Sequence, residues 1–470
     1  MQQKTKLGIN FGLRGWMLMI FEISAFAVFM VFGNFPMNML ADFYGGAPKL
    51  APIFTVAELI GIAIQLILAN HVGKIKSVKT MTLGFGLATL ICALGVAALP
   101  IGGTLIWFVA YFLVNVLSNI YGMFGIGIII GQWFPTRKGV FMGIATFAFP
   151  VCNGLMGPFA GLVNMEGAMG AAFGAGAAAG NFIPGTHDPI PNFVAGFDAL
   201  TVAKGFLPFL IVGIIGWLLG LIFIKDYPEQ CGCFRDNDKS FTKEKADAML
   251  AVEIENRKTT VWKVGNTFKC GSFWLITIPM GTLLGCSVGM MTQTNAIIGD
   301  GIAGLEFGAI MGMVMIFALV GSYVLGLLDG KFGTKTAITV SVIVMLIAGI
   351  LGGIGGVALL PAIILLAIFM GAASNFTVSA AAQYWRREDF PSVFAAVNPI
   401  ANILHAFGAT IFATTIAAIS VKAPFVITAV VSVICLVMIL CFKPAKVKAA
   451  DDKYRAKAGK PLDDALVGRK

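Results

Sequence analysis

The chain has 470 residues, of which 58% are hydrophobic and only 12% charged, and its mean hydropathy is +0.88. Soluble domains carry roughly 25% charged residues, so a soluble globular enzyme is excluded and the lipid bilayer is the expected solvent. The formal net charge of +10 raises nucleic acid as a partner, but its placement in short loops between apolar runs argues against one.

Apolar stretches near or above the roughly 20 residues needed to cross a bilayer recur along the sequence, about twelve in all. In chain order they cover 14–40, 52–70, 80–101, 104–131, 139–165, 199–224, 270–294, 304–328, 336–358, 360–384, 391–419 and 423–442. The first follows Lys4, Lys6 and Arg14 but is too long for a secretory signal and lacks a small-residue cleavage site, so a retained helix is expected. The expected fold is all-α and integral to the membrane, with twelve transmembrane helices.

Positive charge marks one side. Lys74, Lys76 and Lys79 follow span two, Arg137 and Lys138 span four, Lys331 and Lys335 span eight, and Arg386 and Arg387 span ten. No Lys or Arg lies between Lys138 and Lys204 or between Lys269 and Lys331; Lys49 and Lys422 are the main exceptions. The positive-inside rule then makes this a multi-pass protein of the cell membrane with both termini and the central segment cytoplasmic. No cysteine falls in an outer loop, so no disulfide framework is expected; Cys231-Gly232-Cys233 reads as a reduced pair, since two thiols alone make a poor metal site.

Residues 226–268 concentrate charge and divide the spans six and six, giving a first bundle over 1–225, a cytoplasmic linker over 226–268, a second bundle over 269–442 and a tail over 443–470. Within the linker, 243–257 fits either an amphipathic surface helix or a solvated connector. The tail, rich in Lys, Ala and Asp, is expected to be disordered. The halves echo each other: "GQWFPTRKGVF" after span four matches "AQYWRREDFPSVF" after span ten, pairing Gln132 with Gln383 and Trp133 with Tyr384, and "ANHVGKIK" after span two parallels "GKFGTK" after span eight. Such a repeat places a binding site between two related bundles.

With these features the sequence resembles the major facilitator superfamily over nearly its whole length. "DYPEQ" after span six, Phe273-Trp274 opening span seven and "SVGMMTQ" closing it are similar to the oxalate:formate antiporter-like, monocarboxylate-carrying branch. The resemblance implies alternating access, and loops at Lys74, Arg137, Asp329, Lys331 and Arg386 that gate it. The family's loop Asp after helix two is replaced by Asn70, and its counterpart after helix eight by Gly330 with Asp329 one residue earlier. Dicarboxylate carriers of the branch are expected to hold cationic residues on helices eight and eleven; span eight has none in its interior and span eleven only His405, which disfavours a doubly charged substrate.

Polar residues are unevenly shared among the spans. Spans three, nine and twelve carry no Asn, Gln, His or charge in their interiors, whereas Tyr111, Asn115 and Asn119 form a stripe on span four, Asn375, Ser379 and Gln383 on span ten, and Asn398, Asn402 and His405 on span eleven, with Gln293 on span seven. An ionisable side chain facing lipid costs about 2.5 kcal/mol or more, so these stripes face either a wet cavity that binds a small polar solute or neighbouring helices that they join. Tyr111, Asn115, Asn119, Gln293, Asn375, Asn398, Asn402 and His405 are therefore the candidate substrate ligands. Glu22, about 12 Å inward at 1.5 Å per residue, and Glu58 are candidate proton carriers, because a carboxyl away from water tends to its neutral form; each alternatively serves as a structural carboxyl. Pro150, Pro158 and Pro399 are expected to bend their helices, and the long outer stretch 166–197 reads as a lid or a passive loop.

The expected function is a secondary transporter of a small organic anion of monocarboxylate type, proton-coupled or exchanging anions. The alternatives are proton-driven efflux of an apolar or cationic compound and a transport-inactive nutrient sensor. Neither cofactor nor metal is expected, no catalytic motif is found, and the expected partners are the small-molecule substrate, the bilayer and protons, acting on a monomer.

Overall fold

In a computed structural model, residues 9–36, 47–98, 105–155, 199–299 and 301–460 are described. The membrane helices are α1 (Gly12–Val28, continuing through Phe29–Asn34), α2 (Ala47–His71), α3 (Val78–Ala98), α4 (Leu105–Ser118, Asn119–Ile126 and Gly127–Trp133), α5 (Lys138–Ala145 and Ala148–Gly154), α6 (Ala199–Phe223), α7 (Gly271–Thr292), α8 (Phe307–Phe332), α9 (Thr334–Ile354), α10 (Leu359–Ala367 and Phe369–Tyr384), α11 (Phe390–Ala418) and α12 (Ala423–Cys441). They form two six-helix bundles, as expected. The boundaries follow the apolar spans closely because a helix inside lipid must satisfy its own backbone. The outer stretch 166–197 and Pro158 lie outside the described residues.

Helix faces sort by solvent. The apolar residues exposed on α6 (Leu207, Ile211, Ile214, Ile215, Leu218, Ile222) and α12 (Val426, Val430, Val433, Val437) recur at three- and four-residue steps, the spacing of one helix face. These two helices bury the smallest share of their length and α4 the largest. α4 is accordingly central, α6 and α12 peripheral.

Local breaks have identifiable causes. α5 is interrupted at Thr146–Phe147, four residues before Pro150. A proline at that point supplies no N–H for the Thr146 carbonyl, which instead accepts from Phe149 N at 3.1 Å. Both α1 and α4 contain a wider π-helical stretch, at Phe29–Asn34 and Asn119–Ile126, a distortion that recurs at functional sites. The Tyr111 hydroxyl donates to the carbonyl of Gly33 in the first of these at 2.8 Å.

The internal repeat is visible in matching tethers. Lys79, at the start of α3, donates through Nζ to the Leu221 carbonyl near the end of α6 at 2.7 Å; Lys335, at the start of α9, donates to the Phe442 carbonyl just past α12 at 2.7 Å. A cation at the carbonyl end of a helix is favoured by its dipole. Trp133 at the end of α4 likewise donates to Lys225 O at 2.9 Å, while its counterpart Tyr384 at the end of α10 packs edge-on against Phe442 at 4.9 Å.

Outside the membrane, one of the two readings of the linker is met and one expectation, for the tail, is corrected. The linker is not a loose connector: Lys243–Lys258 is a helix, capped by the Thr242 side chain, that buries Glu253 and Arg257. Arg257 donates to Tyr227 Oη at 2.8 Å and to Val72 O at 2.7 Å. Nor is the tail disordered throughout, since Pro444–Lys457 forms a helix that buries Val447, Asp451 and Arg455. Its ion pairs with the loop before α11 supply the docking energy that a charged composition conceals.

Candidate functional site between the bundles

α2 and α11 run side by side along the boundary of the two bundles, and each turns a polar stripe toward the other. The stripe of α2 is Thr55, Glu58 and Gln65, spaced by three and seven residues, which is one helix face. On α11 it is Asn398, Asn402 and His405. Each of these side chains is at least nine-tenths buried, so each polar atom needs a partner within the protein or the solute it binds.

The partners cross the boundary. Asn398 Nδ2 donates to Gln65 Oε1 at 3.1 Å, and Gln65 Nε2 donates to Asn119 Oδ1 at 2.5 Å. Asn402 Nδ2 donates to the same Asn119 oxygen at 3.3 Å, and Asn119 Nδ2 donates to Glu58 Oε2. Asn398 Oδ1 also accepts from Thr377 of α10 at 3.4 Å. At the far end Thr55 donates to Ala406 O at 2.8 Å, and its hydroxyl lies 2.8 Å from that of Thr410. His405 Nδ1 stands 3.7 Å from Glu58 Oε2, too far for a direct hydrogen bond. Glu58 Oε1 and His405 Nδ1 have no partner among the described residues; they are the unused hydrogen-bonding capacity of the seam.

Below the seam, toward the basic loops, the same α11 face becomes aromatic. Phe390 and Phe394 precede Asn398 and Asn402 at steps of four, and their rings seat on Gly131 and Gly127 of α4. A Cβ on Gly127 would meet Phe394 Cζ at 2.8 Å, and one on Gly131 would overlap the Phe390 ring, so bare backbone is needed there. α5 and α8 close the opposite side of the same boundary: a Cβ on Gly326 would lie 2.8 Å from the Gly139 carbonyl.

A ring of charge lies outside this apolar layer. Arg387 donates to Gln132 O at 2.6 Å, to Glu253 Oε2 at 2.6 Å and to Glu229 at 3.4 Å; Arg235 pairs with the same Glu229 and Glu253 at 3.0 and 2.7 Å. Its sequence neighbour Arg386 turns the other way and bonds Asp451 of the tail helix at 3.0 Å. Arg455 pairs with Asp389, Thr260 donates to Asp389 at 2.6 Å, and Trp262 Nε1 donates to Asp451 at 2.8 Å. Burial pushes the Asp389 carboxyl up to about 7, against the opposing field of the Arg455 guanidinium.

Sequence similarity adds to this geometry. The sequence model of the Major Facilitator Superfamily matches residues 264–467. Among solved structures, the chain is similar to a proton:xylose symporter of that superfamily, XylE, bound to 6-bromo-6-deoxy-D-glucose (TM-score 0.64, 12% identity, 92% of this chain and 98% of the other). It is also similar to the superfamily transporter FucP in the outward conformation (0.58, 12%, 90% and 98%). The chain has the major facilitator fold. A third structure with this major facilitator architecture is the human organic anion transporter MFSD10 (0.57, 11%, 90% and 97%). No curated protein matches in sequence.

Within the major facilitator fold, the candidate residues read from sequence fall into several groups. Asn119, Asn398, Asn402, His405 and Glu58 are brought together in the seam. Tyr111 and Asn115 lie apart from it, against the π-helical stretch of α1, and Asn115 Nδ2 donates to Tyr111 O at 2.9 Å. Asn375 is buried on α10 and Gln293 caps the end of α7; among the described residues neither amide atom of Asn375 has a partner, nor does the Nε2 of Gln293. Glu22 lies inside the first bundle, and neither of its carboxyl oxygens has a partner among the described residues.

Of the loop residues, Lys74 is exposed and Lys331 lies over the Phe332 ring at 5.2 Å. Arg137 donates to Asn10 O at 3.1 Å, and its N–H, with that of Thr136, is capped by Asp236 at 3.0 Å. Asp329 accepts from the Thr334 hydroxyl at 2.6 Å, and the Thr334 backbone N–H donates to Gln383 Oε1 at 2.7 Å. Its carboxylate also stands where a side chain on Gly139 would be, 2.7 Å from that Cβ position. Gln65, Thr55 and the Phe390–Phe394 pair are not among the residues singled out from sequence, although the spacing of seven between Glu58 and Gln65 is a usable sign.

Proposed function

We propose that this chain is a secondary transporter that moves a small organic anion of monocarboxylate type by alternating access, either with protons or in exchange for another anion. The observation that carries the reading is the seam itself. Asn398, Gln65 and Asn402 form a hydrogen-bonded chain onto Asn119, which in turn holds Glu58, and Glu58 and the facing His405 keep hydrogen-bonding atoms unused among the described residues. Amide donors hold a carboxylate without the desolvation cost of a fixed charge. His405 is the donor that becomes cationic when a proton arrives, and Glu58 or Glu22 carries that proton. Asn375, Gln293, Tyr111 and Asn115 complete the substrate path in this proposal.

Alternating access requires the bundles to part on one side at a time. The Phe390–Phe394 layer and the Arg387 ring close the basic face, which the positive-inside rule makes cytoplasmic; a monomer of the cell membrane is the proposed working unit, with Lys74, Arg137, Asp329, Lys331 and Arg386 in its gating loops. The test is uptake of labelled monocarboxylates into proteoliposomes with and without an imposed proton gradient. Saturable flux is expected, with a weaker apparent affinity in His405→Ala. Absence of carboxylate flux under both conditions removes the anion reading.

One observation favours proton-driven export of an apolar or cationic compound instead. Glu22 is buried with both oxygens free of donors among the described residues, an arrangement that attracts a cation. Gradient-dependent extrusion of a lipophilic cation, lost in Glu22→Gln, would establish that second reading.

A further inference from the structure

The linker and the tail helix enclose a cleft of about 760 Å³ on the basic face, and its charged lining is entirely lysine: Lys258, Lys263, Lys269, Lys453, Lys457 and Lys460. Three come from the linker and three from the tail. Lys258 is bonded to Glu255 at 2.9 Å, and Lys460 reaches Thr259 O at 3.5 Å. The ammonium groups of Lys263, Lys269, Lys453 and Lys457 meet no partner among the described residues. Of the acids on the tail helix, Asp451 is committed to Arg386, Arg455 and Trp262, and neither it nor Asp452 lines the cleft.

Like charges on two separate segments repel across the space between them, and the tail nevertheless docks. Its docking rests on the Arg455–Asp389 and Asp451–Arg386 pairs, on the Asp451–Trp262 hydrogen bond, and on the edge-on packing of Tyr454 against Trp262 at 5.3 Å. Among the described residues the lining of the cleft therefore carries a net positive charge in a concave setting, where low-dielectric walls concentrate the field. Lys269 stands two residues before α7 begins, next to the aromatic group Phe268, Phe273 and Trp274, whose rings lie 5.0 to 5.5 Å apart. Aromatic side chains at a helix entrance mark the headgroup level of a bilayer, and lysine clusters just outside a membrane helix attract phosphate-bearing headgroups.

We propose that the cleft between the linker and the tail helix is a binding site for a phosphate-bearing anion, contacted by Lys263 and Lys269 from one side and by Lys453 and Lys457 from the other. An occupant joins the two walls and so fastens the tail helix over the loop before α11. The chemistry is shared by an anionic lipid headgroup and a soluble phosphate compound, and it does not depend on what the central seam transports.

The test uses the unchanged full-length protein and two variants of it: Lys263→Gln/Lys453→Gln/Lys457→Gln combined, and the linker control Lys239→Gln/Lys243→Gln. Binding is measured to vesicles of phosphatidylcholine with and without phosphatidylglycerol, and, in detergent, to pyrophosphate by calorimetry. Selective binding to one probe or both is expected, weakened about fivefold per lysine and on the order of a hundredfold in the triple variant, with the control unchanged. A preference for phosphatidylglycerol vesicles alone assigns a lipid, and pyrophosphate binding assigns a soluble phosphate. Equal affinity of the triple variant and the control for every probe, or no binding of the unchanged chain to either probe, overturns the proposal.

Discussion

His405 Nδ1 faces Glu58 Oε2 across 3.7 Å at the boundary between the two bundles. Asn119 holds that same carboxylate oxygen, and Asn402 reaches the Asn119 amide at 3.3 Å, so a change in the charge of one acid is felt by side chains on both sides.

Replacing Glu58 by Gln keeps the shape and the Asn119 bond but removes the titratable group. Gradient-driven uptake in proteoliposomes is expected to fall at least about tenfold, the scale of one lost charge-assisted contact, while exchange of internal for external substrate persists. Equal gradient dependence in variant and parent would take Glu58 out of proton coupling.

Gly131 has no side chain where the Phe390 ring sits. In Gly131→Val the ring is displaced, at a cost on the order of 1–3 kcal/mol for an overpacked contact, and the basic face closes incompletely. A cysteine placed at Phe394 is expected to react faster with a membrane-impermeant maleimide added from that face. Unchanged labelling would show that the aromatic layer does not seal the boundary.

Arg387 ties the loop before α11 to Gln132 of the first bundle and to Glu229 and Glu253 of the linker. Arg387→Gln leaves two buried carboxylates sharing Arg235 alone, which is expected to cost on the order of 3 kcal/mol and to lower the melting temperature. The same variant is expected to bind substrate more readily from the basic side. A melting temperature equal to the parent's would mean that solvent already screens the cluster.

Asp389 gives a pH dependence of definite sign. Its carboxyl, pushed up to about 7 by burial, holds its proton in the folded protein through a range where the unfolded group, near 3.9, has lost it. The folded state therefore binds more protons between about pH 4 and 7, and stability declines as pH rises through that window. Asp389→Asn is neutral throughout. Its melting temperature is expected to vary less from pH 5 to 8 than the parent's, and parallel curves would exclude Asp389 as the source.

The membrane helices were legible because lipid imposes a length and an apolar composition on each one. Segregation of Asn, Gln, His and Glu onto particular spans was legible for the same reason, and it identified residues on both sides of the seam, Asn398, Asn402 and His405 on α11 and Glu58 and Asn119 across from them. Gln65 escaped because its one local sign, a spacing of seven from Glu58, does not say what it meets; its partners, Asn119 and Asn398, are 54 and 333 residues away. The docked tail escaped for a related reason. Asp451 and Arg455 look like an ordinary solvated pair four residues apart, and only the fold brings Arg386 and Asp389 to them. The π-helical stretches of α1 and α4 have no compositional signature in the sequence.

Arg386 and Arg387 look in opposite directions, one to the tail helix and the other to the first bundle and the linker. Their Cα atoms are separated by a single peptide unit, about 3.8 Å, too stiff a spacer to let one anchorage shift without tilting the other. Force applied to the tail is thus delivered directly to the latch between the bundles, so the stability losses of Asp451→Asn and Arg387→Gln are expected not to add. Strict additivity would mean that the two moorings yield independently.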